Sequence, residues 1–145
     1  TALCRLTKKG VIEKVCKGVW LNPLSRFAQN DTRLEELALL LRFNHYNYVS
    51  LETVLSQASI ISQQMFSYLT VMTTGASKVV KASFGTIEFT HTKRDLVELC
   101  HYKIPQGHKM PWASVDIAYR DLKRIGRKAS LIIFFISSSD FKSRF

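Results

Sequence analysis

Apolar positions along the chain recur at two periods, and the changes of period mark out its elements. Leu3 and Leu6, set among Arg5, Lys8 and Lys9, read as the last turns of an amphipathic helix that Gly10 ends. The runs Val11–Val15 and Val19–Leu21, separated by Cys16-Lys17-Gly18, read as a β-hairpin, and Asn22-Pro23 closes that unit. A helix follows, with Thr32 and Glu35 at capping-box spacing and Leu34, Leu37, Ala38 and Leu41 on one stripe. Phe43–Tyr48 reads as a turn, after which Ser50 caps a second helix with Val54, Leu55 and Ala58 facing inward.

The period then changes to two. Tyr68–Met72 is a β-type run, Gly75 a turn, and Phe84-Gly85-Thr86 the turn into a half-buried antiparallel strand in which Ile87, Phe89 and His91 alternate with polar residues. Another β-like piece covers Leu99–Ile104 and breaks at Pro105-Gln106-Gly107. A last helix begins after Pro111, capped by Ser114, striped by Val115, Ala118, Leu122 and Ile125, and stopped by Gly126. Residues 129–145 carry no decisive period. The expected class is α+β, divided into residues 1–22, residues 23–128 and a tail of residues 129–145.

Composition adds little to this except through charge. Against 11 acids stand 21 lysines and arginines, a net +10 over 145 residues, which points to a polyanionic partner. The excess is concentrated at the ends: residues 1–21 carry +4 and residues 119–145 carry +5, whereas residues 31–52 carry −2. Cys4, Cys16 and Cys100 are widely spaced and form no CxxC pair, so idle thiols in a reducing cytoplasm are expected. The apolar run Leu131–Ile136 is far short of the roughly 20 residues a membrane span needs, and no membrane partner is expected. The chain opens on Thr1 rather than methionine, which reads as a missing beginning.

No motif assigns catalysis. His45, His91, His101 and His108 lie in separate segments without HExxH spacing, and Cys100 and His101 would point to opposite faces of a strand. Glu88, Asp95, Glu98 and Asp116 are the carboxylates a small metal-dependent nuclease would draw on, but neither Glu88 nor Glu98 has a lysine two positions later. No phosphate-binding glycine loop is present in the sequence. Tyr46 and Tyr48 would be the stacking platform of an RNA- or protein-binding module; partial burial between two helices is the simpler expectation for them. No catalytic residue, metal site or cofactor is therefore assigned. A helix end followed by a basic hairpin has the form of the second half of a winged helix, in which the helix enters the major groove and the hairpin follows a phosphate track.

The segment CRLTKKGVIEKVCKGVWLNP resembles the end of the recognition helix plus the wing of the AbiE-type antitoxins, the regulator half of a type IV toxin–antitoxin pair. Tyr48–Leu55 resembles the segment that opens their second domain, and Ala82–Phe89 with His91 resembles that domain's FGTxEFxH strand. Pro111-Trp112-Ala113-Ser114 also fits the family's layout, and the matches run in order over roughly residues 3–126. The resemblance implies a winged helix-turn-helix remnant followed by a small α+β antitoxin domain. It implies binding to inverted repeats of double-stranded DNA in the operon's own promoter. It also implies antagonism of a nucleotidyltransferase toxin without a stable complex, in the cytoplasm. By matching segment, DNA contact falls on Arg5, Thr7, Lys8, Lys9, Lys14 and Lys17. Two departures stand out: a complete winged helix has two further helices before the recognition helix, and residues 131–145 match nothing in the family.

Overall fold

Five helices and two sheets make up the described residues of the computed structural model, residues 2–59 and 67–126. Helix α1 (Ala2–Lys8) leads into a two-stranded antiparallel hairpin of β1 (Glu13–Cys16) and β2 (Val19–Leu21). A 3-10 turn at Arg26–Gln29 and helix α2 (Arg33–Leu41) follow, then β3 (Asn47–Val49) and α3 (Glu52–Gln57). Strands β4 (Tyr68–Thr73), β5 (Lys78–Ala82) and β6 (Gly85–His91) complete a four-stranded sheet of order β3-β4-β6-β5. A short α4 (Leu96–Leu99) and α5 (Val115–Arg124) end the described chain, so the mixed α+β class is as expected.

The core lies against the two central strands. Leu69, Val71, Met72, Ile87 and Phe89 are buried there, joined by Leu37 and Ala38 of α2, Leu51 and Leu55 around α3, and Ala118 and Leu122 of α5. Helix α2 packs on β4 and β6, while α3 packs on β4 and α5. The edge at β3 is closed by the 111–113 segment: Val49 N–H donates to the Pro111 carbonyl at 2.8 Å and Ala113 N–H to the Val49 carbonyl at 2.8 Å. Helix α5 matches its expectation: Ser114 Oγ accepts from Ile117 N–H at 3.3 Å, Val115, Ala118 and Leu122 are buried, and Gly126 has φ +73°.

Elsewhere the structure corrects the sequence reading. Strand β6 buries Ile87 and Phe89 as expected but runs parallel to β4, and only its other neighbour, β5, is antiparallel. Alternation reports which face is buried; it does not report which way a neighbour runs. Gly85 is the first residue of this strand rather than the middle of a turn. The Leu99–Ile104 piece is not a strand: Asp95 accepts Val97 N–H at 3.1 Å and caps α4, Leu99 is buried, and Ile104 is 56% exposed, so no apolar strand face exists. The expected turn at Phe43–Tyr48 ends inside β3, which takes Asn47 and Tyr48.

Two expected caps are also reassigned. Thr32 precedes α2, but its hydroxyl caps nothing and Glu35 turns instead to Trp112 and His108. Ser50 does not cap α3, because its hydroxyl donates to Asp121; the cap position is Leu51, fully buried at φ 61°, ψ −139°. That conformation typically costs about 1–3 kcal/mol outside glycine, and the surrounding core holds it in place. The tail expectation for residues 129–145 lies outside the described residues.

Gly85 is required by space. A Cβ there would stand 2.6 Å from the Ser67 carbonyl oxygen and 3.0 Å from Leu34 Cδ1. The same carbonyl accepts Thr86 N–H at 2.9 Å, so it cannot withdraw without losing a bond. Gly85→Ala should lower the unfolding free energy by about 1–3 kcal/mol in a urea titration, the range for forced overpacking. An unchanged midpoint would show that the strand entrance is not tight.

Candidate nucleic-acid interface

Residues 2–21 form one connected unit. Val11 N–H donates to the Leu6 carbonyl at 3.0 Å and Gly10 N–H to the Thr7 carbonyl at 3.1 Å, with Gly10 at φ +75°. This paired Schellman arrangement fixes the angle at which the chain leaves α1 and enters β1. Arg5 and Lys8 lie in the last turn of α1, where cations complement the partial negative charge of the carbonyl end. The hairpin aligns Glu13 with Leu21, Lys14 with Trp20 and Cys16 with Val19, and its register shifts between Lys14 and Cys16. Lys17 and Gly18 make the turn, Gly18 at φ +82°.

That register shift places Val15 as a bulge residue. Val15 is 5% exposed within the main core, and its carbonyl accepts Ser83 N–H at 3.0 Å. The hairpin is thereby fastened beside β5. Cys16 registers the same neighbourhood: partial burial raises its thiol pKa, while Lys78 and Lys14 oppose the rise. Lys78 is exposed on β5 and was missed in the sequence, because β5 itself was not recognised there.

Of the six expected contact residues, Arg5, Lys8, Lys9, Lys14 and Lys17 are exposed, and none forms an ion pair among the described residues. Thr7 is half-buried and donates its hydroxyl to the Leu3 carbonyl at 2.7 Å, which leaves it less free to reach a ligand. Thr7 and Lys14 line one groove of about 730 Å³ with Gly10 and Glu13; the other four lie outside it. Leu3 and Leu6 of α1 are 42% and 37% exposed, so neither is fully packed. Chemically, the unit is a helix end and a hairpin joined rigidly, offering exposed cations.

No protein-family model, curated protein or solved structure matches this chain.

The other expected chemistry is dispersed. Glu88 accepts from the Tyr68 hydroxyl, Asp95 caps α4, Glu98 pairs with Arg94, and Asp116 pairs with Arg120 one helical turn away. Tyr46 is 49% exposed but Tyr48 is 1% exposed, so the two do not form an open stacking platform. Among the described residues, no three histidine, cysteine or acidic side chains are placed to share a metal ion, and no helix is long and apolar enough to cross a membrane.

One polar constellation escaped the sequence reading altogether. Asp121, 1% exposed on α5, accepts from Tyr48 at 3.0 Å, from Ser50 at 2.7 Å and from Arg94 Nε at 2.9 Å. Arg94 continues to Glu98 at 2.6 Å, and Glu98 accepts from Tyr102 at 2.9 Å. The Tyr48 and Tyr102 rings meet edge to face at 4.9 Å. Burial drives the Tyr48 phenol far above its usual range, and the Asp121 charge adds to that. Burial alone would loosen the Arg94 proton, but Asp121 reverses the effect and holds it more firmly than usual. Both Asp121 oxygens are occupied, so the cluster ties β3 and α5 together.

Proposed function

We propose that the chain is an AbiE-type antitoxin that also represses its own operon, with α1 and the β1–β2 hairpin as the DNA-contacting part. The observation that carries this reading is the rigid helix-to-hairpin unit with five exposed cations that form no ion pair among the described residues. A helix end suits the major groove, and a basic hairpin suits the flanking phosphates. The ordered family-like segments that follow suggest that the rest of the chain counteracts a nucleotidyltransferase toxin in the cytoplasm. That action would be non-catalytic and would need no cofactor or stable complex. A small nuclease or an RNA-binding module draws no comparable support: its carboxylates are scattered and one of its two tyrosines is buried.

Fluorescence anisotropy tests the reading, with duplex DNA from upstream of the gene compared with a scrambled duplex. Five phosphate contacts predict a slope of log K against log salt of about −4.5, and a loss of roughly 500-fold between 50 and 200 mM salt. Lys14→Ala with Lys17→Ala should make that slope shallower by about two. Equal and weak binding to both duplexes would remove the repressor reading. An unchanged slope in the double variant would remove the hairpin's part in it.

A further inference from the structure

Strand β5 is the outer strand of its sheet, and the hairpin lands beside it, where the Val15 carbonyl accepts Ser83 N–H at 3.0 Å. Alternation along β5 sorts its two exposed lysines onto different faces. Lys78 pairs with Phe89, Val80 with Ile87 and Ala82 with Gly85, so Lys78 stands on the face where Ile87 and Phe89 are buried. Lys81 pairs with Thr86 on the opposite face, which also carries Glu88.

The face of Lys78 is the one that meets the hairpin. Cys16, beside the hairpin turn, packs against the main core and feels the charges of both Lys14 and Lys78. Beyond Lys78, the Arg42 guanidinium lies 5.0 Å over the ring of its cross-strand partner Phe89 and donates to the Ala76 carbonyl at 2.9 Å. Lys14, Lys78 and Arg42 thus follow one another from β1 across β5 to the end of α2. None of the three forms an ion pair among the described residues. Acids stand away from this row: Glu13, the one acid of residues 1–21, registers with Leu21 at the end of the ribbon away from its turn, and residues 53–87 contain none. Like charges in a row repel one another, and an anion laid along them relieves that repulsion. Arg42 is half-buried and held by its ring and carbonyl, which leaves Lys78 as the exposed member next to the hairpin.

We propose that Lys78 is a further phosphate contact of the DNA interface, carrying the track of Lys14 and Lys17 off the hairpin and onto the edge of the four-stranded sheet. This rests on the reading of α1 and the hairpin as the DNA-contacting part. It adds that the duplex is held across both sheets, so the larger sheet helps to set its orientation.

The test is fluorescence anisotropy of the full chain on duplex DNA from upstream of the gene, with the scrambled duplex beside it. A sixth phosphate contact makes the slope of log K against log salt about −5.4 in place of about −4.5. Lys78→Ala should return the slope to about −4.5 and weaken binding about fivefold at 100 mM salt. Lys78→Arg should keep the slope and affinity of the parent. Lys81→Ala removes the same charge from the same strand on the other face, and should leave the slope at about −5.4. Both lysines are exposed, so denaturation midpoints should agree among all four chains. A parent that binds selectively and steeply while Lys78→Ala matches it would overturn the Lys78 contact and leave the hairpin reading standing. Equal flattening by Lys81→Ala would reduce the effect to net charge and overturn it as well. Weak and equal binding of the parent to both duplexes would remove the hairpin reading, and this contact with it.

Discussion

Asp121→Ala should lower folding stability by about 3–5 kcal/mol, the cost typical of removing one partner from a buried ion pair. The side chains involved are almost dry: Arg94 is 5% and Asp121 1% exposed, with 2.9 Å between guanidinium and carboxylate. Removing the carboxylate also takes the acceptor from the Ser50 hydroxyl and leaves the Tyr48 hydroxyl only the 3.5 Å contact with Thr92 Oγ1. Glu98 remains to Arg94, but that carboxylate is 43% exposed and well screened, so it can compensate only in part. The complementary experiment removes both charges. Arg94→Met with Asp121→Leu should recover most of the loss, because apolar groups of similar volume often replace a buried pair at little cost. Urea denaturation of the two variants decides the matter. A single-variant loss below about 1 kcal/mol would mean the pair contributes no more than a surface contact.

Stability should also fall steeply once the pH passes about 10, where an unfolded tyrosine begins to ionise. Burial and the neighbouring Asp121 charge hold the Tyr48 phenol protonated in the fold well beyond that point. Above about pH 10 the unfolded chain therefore binds one proton fewer than the native chain, and stability drops by about 1.4 kcal/mol per pH unit. Below that pH both states keep the proton and Tyr48 adds no slope. Tyr102 is shifted the same way, by burial first and by its bond to Glu98 second. Its partial exposure makes its share smaller. Tyr48→Phe should flatten much of the alkaline fall while costing about 1 kcal/mol at neutral pH for the lost bond to Asp121. Denaturation midpoints measured from about pH 8 to 11.5 for parent and variant test both parts. Parallel alkaline limbs would show that Tyr48 does not carry the dependence.

How much of this was legible in the sequence follows from which features are local. Helix α5 was, because Ser114, the Val115–Ile125 stripe and Gly126 each act within one helical turn. Helix α1 and the existence of the hairpin were, because Gly10 and Gly18 sit where positive φ is required, but β1 starts at Glu13 rather than Val11 and takes Cys16 from the expected turn, leaving Lys17-Gly18. What escaped depends on distant partners. Thr32 and Ser50 look like caps in the sequence because cap residues are alike there; the structure gives the Ser50 hydroxyl to Asp121, 71 positions away. The parallel pairing of β4 with β6 has no local signal, since β5 had to be recognised before its neighbour could be ordered. Of the interface, the exposed cations could be read directly. Val15 as an anchor and Lys78 as a neighbour could not, because both depend on where the hairpin lands.

An isolated two-stranded ribbon frays freely in water. Here the buried Val15 side chain and the bond from Ser83 mean that opening the ribbon exposes part of the main core. Its amide protons should therefore exchange with solvent in step with those of β5 and β6, as one cooperative block rather than as a loose arm. A polyanion that bound at Lys14 and Lys17 would meet a backbone already ordered by the rest of the chain, so its capture would spend entropy mainly on the two lysine side chains.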